Sequence, residues 1–251
     1  MGAPDLVVLP DAEALARRGA EEFCAHATGA LARQPAFRVA LAGGGTPRRL
    51  YELLAGAPFR SAVAWDRVEF FWGDERCLPH DHPESNVRMA REALLGPLAV
   101  PAAHVHPVDT TRDATAAARA YQIEIARVFA VPPDGPPPAF DLVLLGLGPD
   151  AHTASLFPGH AAEREARAWV VDVHDAPKPP PERVTLTPAI INRARAVLFL
   201  VADAGKAGAL AAVLEGPPDP DRYPAQAIRP AGTLRWLVDR AAAGALTEVT
   251  A

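Results

Sequence analysis

A run of apolar residues near the middle of the chain limits the folds that this sequence can adopt. The stretch FDLVLLGLG at 140–148 shows no alternation of polar and apolar residues, which is typical of a strand buried on both faces of a parallel sheet. Similar short runs alternate with alanine-rich stretches of helical character. This alternation predicts an α/β fold with an open, mostly parallel, Rossmann-like sheet and helices on both faces.

The predicted elements follow one another along the chain. Strands are predicted at 6–10, 37–44, 67–75, 140–148, 168–173, 196–202 and 233–238. Helices are predicted at 11–33, with Asp11 as the N-cap, and at 46–54, 85–95 and 112–130. The proline-rich loops at 131–138, 176–181 and 216–224 are too short to separate domains. We therefore expect a single domain over residues 1–251.

Composition and charge exclude several classes of protein. The chain is 49% hydrophobic with a net charge of −5, so it has enough apolar residues for a core and lacks the basic balance of most nucleic-acid-binding proteins. Cys24 and Cys77 form neither a disulfide framework nor a metal-binding spacing. No apolar run approaches the ~18 residues of a membrane span, and the N-terminus does not read as a signal peptide. We expect a cytoplasmic protein with a small ligand, which is free to be anionic.

Ligands of such sheets bind at the carboxyl ends of the strands, so the residues that follow each strand are candidates for a site. After the strand at 37–44, the sequence GGGTP comprises Gly43, Gly44, Gly45, Thr46 and Pro47. Glycines permit a sharp turn, Thr46 is the expected N-cap of the next helix, and Pro47 suits its first position. The free N–H groups of such a helix start attract phosphate. A tight turn without a ligand is the alternative interpretation.

Charged residues follow the strand at 67–75. Asp74, Glu75 and Arg76 lie where this strand meets a loop, and they are either site residues or a solvated loop. Two pairs of histidines lie farther along the chain, His80 with His82 and His104 with His106. Alternate histidines without a third partner are weak indicators of a metal site, so we expect no metal.

The stretch GLGPDAHTASLFPGH at 146–160 allows two interpretations. It fits the dinucleotide fingerprint G-x-G-x-x-A, with Asp172 about 20 residues farther on. That fingerprint needs a long helix after the glycines, however, and Pro158 and Gly159 end any helix here within two turns. The alternative is that the glycines open space for His152 to face a substrate at the end of a buried strand.

His152 is the candidate for proton transfer. The three serines of the chain, Ser61, Ser85 and Ser155, do not lie in a G-x-S-x-G motif, which excludes the nucleophile elbow of the α/β-hydrolases. Cys77 has no recognised protease context. Imidazole titrates near neutral pH, so general acid–base catalysis is the chemistry that remains for His152.

These stretches together resemble the 6-phosphogluconolactonases, hydrolases of the oxidative pentose phosphate pathway. The family pattern is G-G-G-T-P, then W-G-D-E-R with a downstream S-N, then G-x-G-x-D-G-H-T-A-S-L-F-P-G. This sequence has GGGTP at 43–47, WGDER at 72–76, SN at 85–86 and GLGPDAHTASLFPG at 146–159. Further matches are ERVTLTPAIINRA at 182–194, GKAGAL at 205–210, PAQAI at 224–228 and RWLVDRAAA at 235–243. Ala151 replaces the usual glycine, which costs about 1 kcal/mol if that position requires a positive φ.

The resemblance implies a fold shared with glucosamine-6-phosphate deaminase and ribose-5-phosphate isomerase, and 6-phosphoglucono-1,5-lactone as the substrate. It implies that His152 is the general base for a water that attacks C1, and that Asp74 orients this water or the imidazole. The other implied contacts are phosphate on the backbone of Gly44, Gly45 and Thr46, with Arg76, Arg183 and Lys206 as candidate cations, and Asn86 on the sugar or the loop. No cofactor or metal is expected, because a lactone is an activated ester that a positioned base can hydrolyse.

Two other functions share this kind of fold. A sugar-phosphate deaminase/isomerase carries a G-H-I-A-F-N-E-P type of stretch where this chain has HTASLFPG, so the acid for ring opening is missing. A non-catalytic sugar-phosphate sensor of a transcription regulator would carry a DNA-binding helix pair, whereas residues 1–36 contain one strand and one long helix without a basic face. Lactone hydrolysis is therefore the prediction, with these two functions as the alternatives.

Overall fold

A six-stranded parallel sheet lies at the centre of this computed structural model, which describes residues 5–247. The strands are β1 (Asp5–Leu9), β2 (Phe37–Leu41), β3 (Val68–Trp72), β4 (Asp74–Arg76), β5 (Leu142–Gly146), β6 (Val170–Val173), β7 (Arg183–Leu186), β8 (Ala196–Val201) and β9 (Thr233–Asp239). The central sheet has the order β1-β9-β8-β5-β2-β3, and all its neighbouring strands are parallel. The predicted open, mostly parallel sheet is confirmed.

Helices cover both faces of this sheet. They are α1 (Ala12–Leu31), α2 (Gly45–Ala55), α3 (Asn86–Ala90), α4 (Ala114–Phe129), α5 (Pro188–Ile191) and α6 (Ala207–Leu214). Val197 and Phe199 of β8 belong to one apolar cluster, with residues of α4, α5 and α6, while Leu198 and Leu200 belong to a second cluster with α1 and α2. This burial on both faces explains why the central strands read as continuous apolar runs.

The predicted helices are present, with one correction at a helix start. Asp11 caps α1 as expected, because its Oδ1 accepts a hydrogen bond of 2.8 Å from the N–H of Ala14. The helix predicted at 85–95 is α3 followed by a π turn at Arg91–Leu95. Helix α2 begins at Gly45 with Gly44 as its N-cap, so the expectation that Thr46 caps this helix is wrong.

The strand predicted at 67–75 is in fact two strands in different sheets. Strand β3 ends at Trp72, and Gly73 then joins the sheets, since its N–H donates to Leu41 O and its C=O accepts from Leu186 N, each at 2.8 Å. Strand β4 pairs antiparallel with β7, which pairs antiparallel with β6. The strand predicted at 168–173 therefore belongs to this second sheet, and β7 was not predicted as a strand. Because of this break, Asp74 and Arg76 line a cleft at the carboxyl end of the central sheet.

The single domain over residues 1–251 stays a prediction, and its first four and last four residues lie outside the described part of the chain. Within residues 5–247, no helix has both the length and the apolar character needed to cross a membrane. Cys24 and Cys77 are both free thiols.

A buried carboxylate fixes the segment that follows β4. The side chain of Glu75 is fully buried, and its Oε1 accepts from the N–H groups of Arg76 (2.8 Å) and Asn86 (2.9 Å). Its Oε2 accepts from Ser85 Oγ (3.1 Å) and Val87 N (2.8 Å). Burial raises the pKa of Glu75, and the backbone donors oppose that rise. Glu75 thus ties the start of α3, and with it Asn86, to the end of the central sheet.

We expect Glu75→Gln to lower the free energy of unfolding by about 3 kcal/mol, because an amide nitrogen cannot accept from two of the donors around Glu75. Urea denaturation followed by circular dichroism measures this loss. Glu92→Gln is the matched control, since the exposed Glu92 pairs with Arg88 at the surface and such pairs contribute little to stability. Equal losses in the two variants would contradict the anchoring role of Glu75.

Candidate active site

A cleft of about 190 Å³ opens at the carboxyl ends of β8, β5, β2 and β3. Its lining includes Gly43, Gly44, Asp74, Arg76, Asn86, His152, Arg183 and Lys206. All the site residues predicted from the sequence therefore meet at this cleft, except Gly45 and Thr46, which lie just behind Gly44 in the first turn of α2. The strand order explains this convergence, because the carboxyl ends of parallel strands share one edge of the sheet.

The turn between β2 and α2 needs glycine at two positions for different reasons. Gly44 has a φ of +100°, a conformation that favours glycine. A Cβ on Gly43 would overlap the side-chain amide of Asn86, so the absence of a side chain there lets Asn86 reach the cleft. No side chain caps α2, which leaves the N–H groups of its first turn available to a ligand.

Asp74 lies almost fully buried on the β3 side of the cleft. Its Oδ2 accepts from Ser155 Oγ at 2.7 Å and lies 4.0 Å from Nη1 of Arg183. Nδ2 of Asn86 donates to the Asp74 carbonyl at 2.9 Å and lies 3.5 Å from Oδ1. Asp74 is thus fixed in place by neighbours from three other segments, and none of these contacts is to an imidazole.

The partner of the His152 imidazole is Asp150. Nδ1 of His152 makes a short hydrogen bond with Asp150 Oδ1, and Asp74 makes no hydrogen bond with this imidazole. Of the two roles expected for Asp74, orienting the water or the imidazole, the contact with water stays a prediction. Nε2 of His152 makes no hydrogen bond with any residue in 5–247, although His152 lines the cleft. Burial opposes the ionisation of Asp150, but the hydrogen bond from His152 and the charges of His152 and Lys178 outweigh it. The pKa of Asp150 therefore lies below its usual range.

The turn that carries His152 is closed by its own backbone. The N–H of Gly148 donates to His152 O at 2.8 Å, and the N–H of Ala151 donates to Gly148 O at 3.0 Å. A Cβ on Gly148 would overlap the His152 ring and crowd Asp150 Oδ1, so the pair sits directly against this glycine. Ala151, the departure from the family pattern, has a φ of +63° and is fully buried. This position does require the left-handed conformation.

Arg183 serves the cleft mainly by holding a neighbouring loop. Its Nε donates to Pro180 O at 3.1 Å, and its Nη2 donates to the carbonyl oxygens of Lys178 (3.1 Å) and Pro179 (3.3 Å). The guanidinium also lies over the ring of Phe157, 5.5 Å from its centroid. Only Nη1, near Asp74, is left to face a ligand.

Arg76 and Lys206 have donors that the protein leaves unused. Nη1 of Arg76 donates to Glu84 O, whereas its Nε is buried without a hydrogen-bond partner. Lys206 precedes α6, and its ammonium group makes no hydrogen bond or ion pair with the described residues. Burial lowers the pKa of Lys206, and the nearby charge of Lys178 lowers it further. These two cations, on opposite sides of β5, are free to bind an anionic ligand.

The sequence interpretation missed Asp150 and Lys178. Asp150 lies two residues before His152, inside the stretch that carried the resemblance. Its negative charge and its position so close to His152 could have indicated a partner for the imidazole. Lys178 lies in a loop that was read only as proline-rich. The rarity of lysine could have indicated Lys178, because the chain contains only one other lysine, Lys206.

The histidines considered for metal binding have other partners. His80 Nε2 lies 2.8 Å from Val108 O, while His106 lies between Glu69 and Glu124, 2.8 Å from each. No group of three histidine, cysteine, aspartate or glutamate residues in the described chain is arranged to hold a metal ion.

Comparisons with known proteins agree with this site. The sequence profile of the family described as glucosamine-6-phosphate isomerases/6-phosphogluconolactonase matches residues 10–236. The chain is 43% identical to the 6-phosphogluconolactonase of Synechocystis sp., covering 96% of this chain and 97% of that one. It is 40% identical to the 6-phosphogluconolactonase of Streptomyces coelicolor, covering 97% and 95%. The structure of 6-phosphogluconolactonase from Trypanosoma cruzi superimposes with a TM-score of 0.86 at 32% identity, covering 98% and 97%. On these matches and on the motifs at the cleft, the chain belongs to the 6-phosphogluconolactonase family.

Proposed function

We propose that this protein hydrolyses 6-phospho-D-glucono-1,5-lactone to 6-phosphogluconate, the lactone step of the oxidative pentose phosphate pathway. The observation that carries the proposal is the hydrogen-bonded pair of Asp150 and His152, placed in a cleft that Arg76 and Lys206 make cationic. Family membership supports it, because relatives that match this chain over nearly its full length carry that name.

His152 would start the reaction as a general base. Its Nδ1 proton is held by Asp150, which leaves the lone pair of Nε2 to take a proton from water. The water oxygen then bonds to C1, and the electron pair of the C1=O bond moves onto the carbonyl oxygen. Asp150 stabilises the imidazolium that forms. Asp74, fixed by Ser155, is our proposed partner for the attacking water.

The same histidine would complete the reaction. When the oxyanion collapses, the C1–O5 bond breaks and its electron pair leaves on O5. The imidazolium returns its proton to O5, which restores neutral His152 and releases the open-chain acid. No cofactor takes part in these steps, and we propose that none is needed.

We propose that the substrate phosphate is bound by the backbone of Gly44, Gly45 and Thr46 together with cations of the cleft. Arg76, Lys206 and Nη1 of Arg183 are the candidates, and Asn86 would bind a sugar hydroxyl. Lys206 lies at the end of β8 and Gly44 at the end of β2, on either side of β5. A phosphate that touches both must therefore lie across the end of β5. The two free cysteines support a reducing compartment, and we propose the cytoplasm.

His152→Ala tests the general base. We expect the variant to lose ~10²- to 10⁴-fold in kcat on freshly prepared lactone, with an unchanged circular dichroism spectrum, because only the proton acceptor is removed. Acid release above the spontaneous rate is the measurement. Near-normal turnover in the variant would exclude His152 as the base, and a wild-type protein that does not exceed the spontaneous rate would overturn the proposed function itself.

Asp150→Asn tests the partner of the imidazole. We expect kcat to fall roughly 10²-fold with KM nearly unchanged, because an amide does not stabilise the imidazolium and can turn the wrong group toward Nδ1. Asp175→Asn is the matched control, an exposed aspartate on the nearby loop. If both variants kept the wild-type kcat, the pair would have no catalytic role.

Gly148→Ala tests the packing beneath the pair. The added methyl group must displace His152 and Asp150, and a shift of about 1 Å can cost on the order of 10²-fold in rate. We expect a fall in kcat of at least 10-fold with little change in the midpoint of urea unfolding. Gly244→Ala, whose Cβ would meet open space, is the control. A Gly148→Ala protein with normal kcat would show that the pair tolerates displacement.

A further inference from the structure

The use of lysine in this chain is unusually selective. Of the 25 lysine and arginine residues, only Lys178 and Lys206 are lysines, and the loops that carry them flank the turn of His152. Arginine provides the positive charge everywhere else. Two ammonium groups at one site, in a chain that otherwise uses guanidinium, indicate that the site needs a compact point charge there.

Lys178 contacts both members of the proposed catalytic pair. Its Nζ lies 3.4 Å from Asp150 Oδ1 and 3.5 Å from His152 Nδ1. Asp150 Oδ1 is the same oxygen that bonds to His152, so one carboxylate oxygen serves the imidazole and the ammonium together. Lys178 is not among the residues that line the cleft, and its contact with the imidazole is at Nδ1 and not at Nε2.

The loop that carries Lys178 is held in place rather than free in solvent. Prolines lie on both sides of Lys178, at 177 and at 179–181, and they limit the backbone conformations of the loop. The buried Arg183 donates to the Lys178 carbonyl and stacks over Phe157. The ring of Phe157 lies 4.8 Å from that of His152, measured between centroids. Arg183 thus connects the loop of Lys178 to the aromatic surface on which His152 rests.

We infer that Lys178 is a positioning residue, whose ammonium group holds Asp150 Oδ1 on Nδ1 of His152. The inference rests on the proposed function. Asp150 needs such a contact because its side chain is 33% exposed, so water competes for its oxygens. A guanidinium would grip both oxygens of Asp150 and compete with the imidazole, whereas an ammonium can share one.

Lys178→Met provides the first test, because it keeps the length of the side chain and removes the charge. We expect kcat to fall about 10-fold with KM changed less than twofold, since the contact is to the base and not to the substrate. The same fall is expected with phosphate-free glucono-1,5-lactone. Lys206→Met is the contrasting variant, expected to raise KM for the phosphorylated lactone only. A rise in KM for Lys178→Met that is confined to the phosphorylated lactone would make Lys178 a phosphate ligand and overturn the inference.

A spectroscopic measurement separates positioning from a general effect on the fold. In protein labelled with ¹⁵N-histidine, the signals of His152 are assigned by their loss in His152→Ala. We expect wild-type His152 to show one neutral tautomer, with the proton on Nδ1, and Lys178→Met to show a mixture of tautomers. Identical His152 signals in the two proteins would overturn the inference.

Chemical rescue completes the test. Lys178→Cys treated with 2-bromoethylamine regains an ammonium of nearly the same length when the thiolate displaces bromide, and we expect kcat to recover to at least half of the wild-type value. Wild-type protein treated in parallel is the control, since burial raises the pKa of Cys24 and of Cys77 to about 11 and slows their alkylation. No recovery after complete alkylation would count against Lys178. Failure of the wild-type protein to hydrolyse lactone would instead reject the proposed function.

Discussion

The His152 imidazole rests against the backbone of Gly148, and the geometry of the cleft depends on this contact. The turn from β5 brings the ring back over its own strand end, which is feasible only where no Cβ intervenes. Asp150 then lies beside Nδ1, and Nε2 is left without a partner among the described residues. The order β8-β5-β2-β3 gives this ring neighbours with unused donors on both sides, Lys206 from β8 and Gly44 from β2.

Burial of charged groups serves position rather than stability alone. Glu75 is fully buried and satisfied by donors from the start of α3, while Arg183 uses two of its three nitrogens on loop carbonyls. Each would be costly without these partners. Both connect a loop at the cleft to the rigid sheets, so the side chains that face the ligand need little reorganisation.

The central sheet could be predicted because strands buried on both faces appear in the sequence as uninterrupted apolar runs, such as LVLLG of β5. The break at Gly73 could not be predicted from a local pattern, because the hydrogen bonds that define it are made with Leu41 and Leu186, far away in sequence. Strand order explains why motifs from separate loops meet at one cleft. It does not fix distances between loops, so the sequence left open whether Asp74 orients the water or the imidazole, and Asp150 was not predicted as the partner of His152. Lys178 was not predicted, because the loop at 176–181 was interpreted from its prolines alone and not from its charge.

Ala151 shows why the departure from the family pattern leaves the turn intact. A left-handed alanine costs about 1–2 kcal/mol relative to glycine. Its methyl group is fully buried in the apolar cluster that includes residues of α4, which offsets about 0.8 kcal/mol of this cost. Burial therefore reduces the cost of the left-handed alanine without removing it. The hydrogen bonds between Gly148 and His152 and between Ala151 and Gly148 are 2.8 and 3.0 Å long, and the carbonyl of Ala151 accepts from Ala225 N at 3.2 Å. Alanine therefore occupies the glycine position without opening the turn that presents His152.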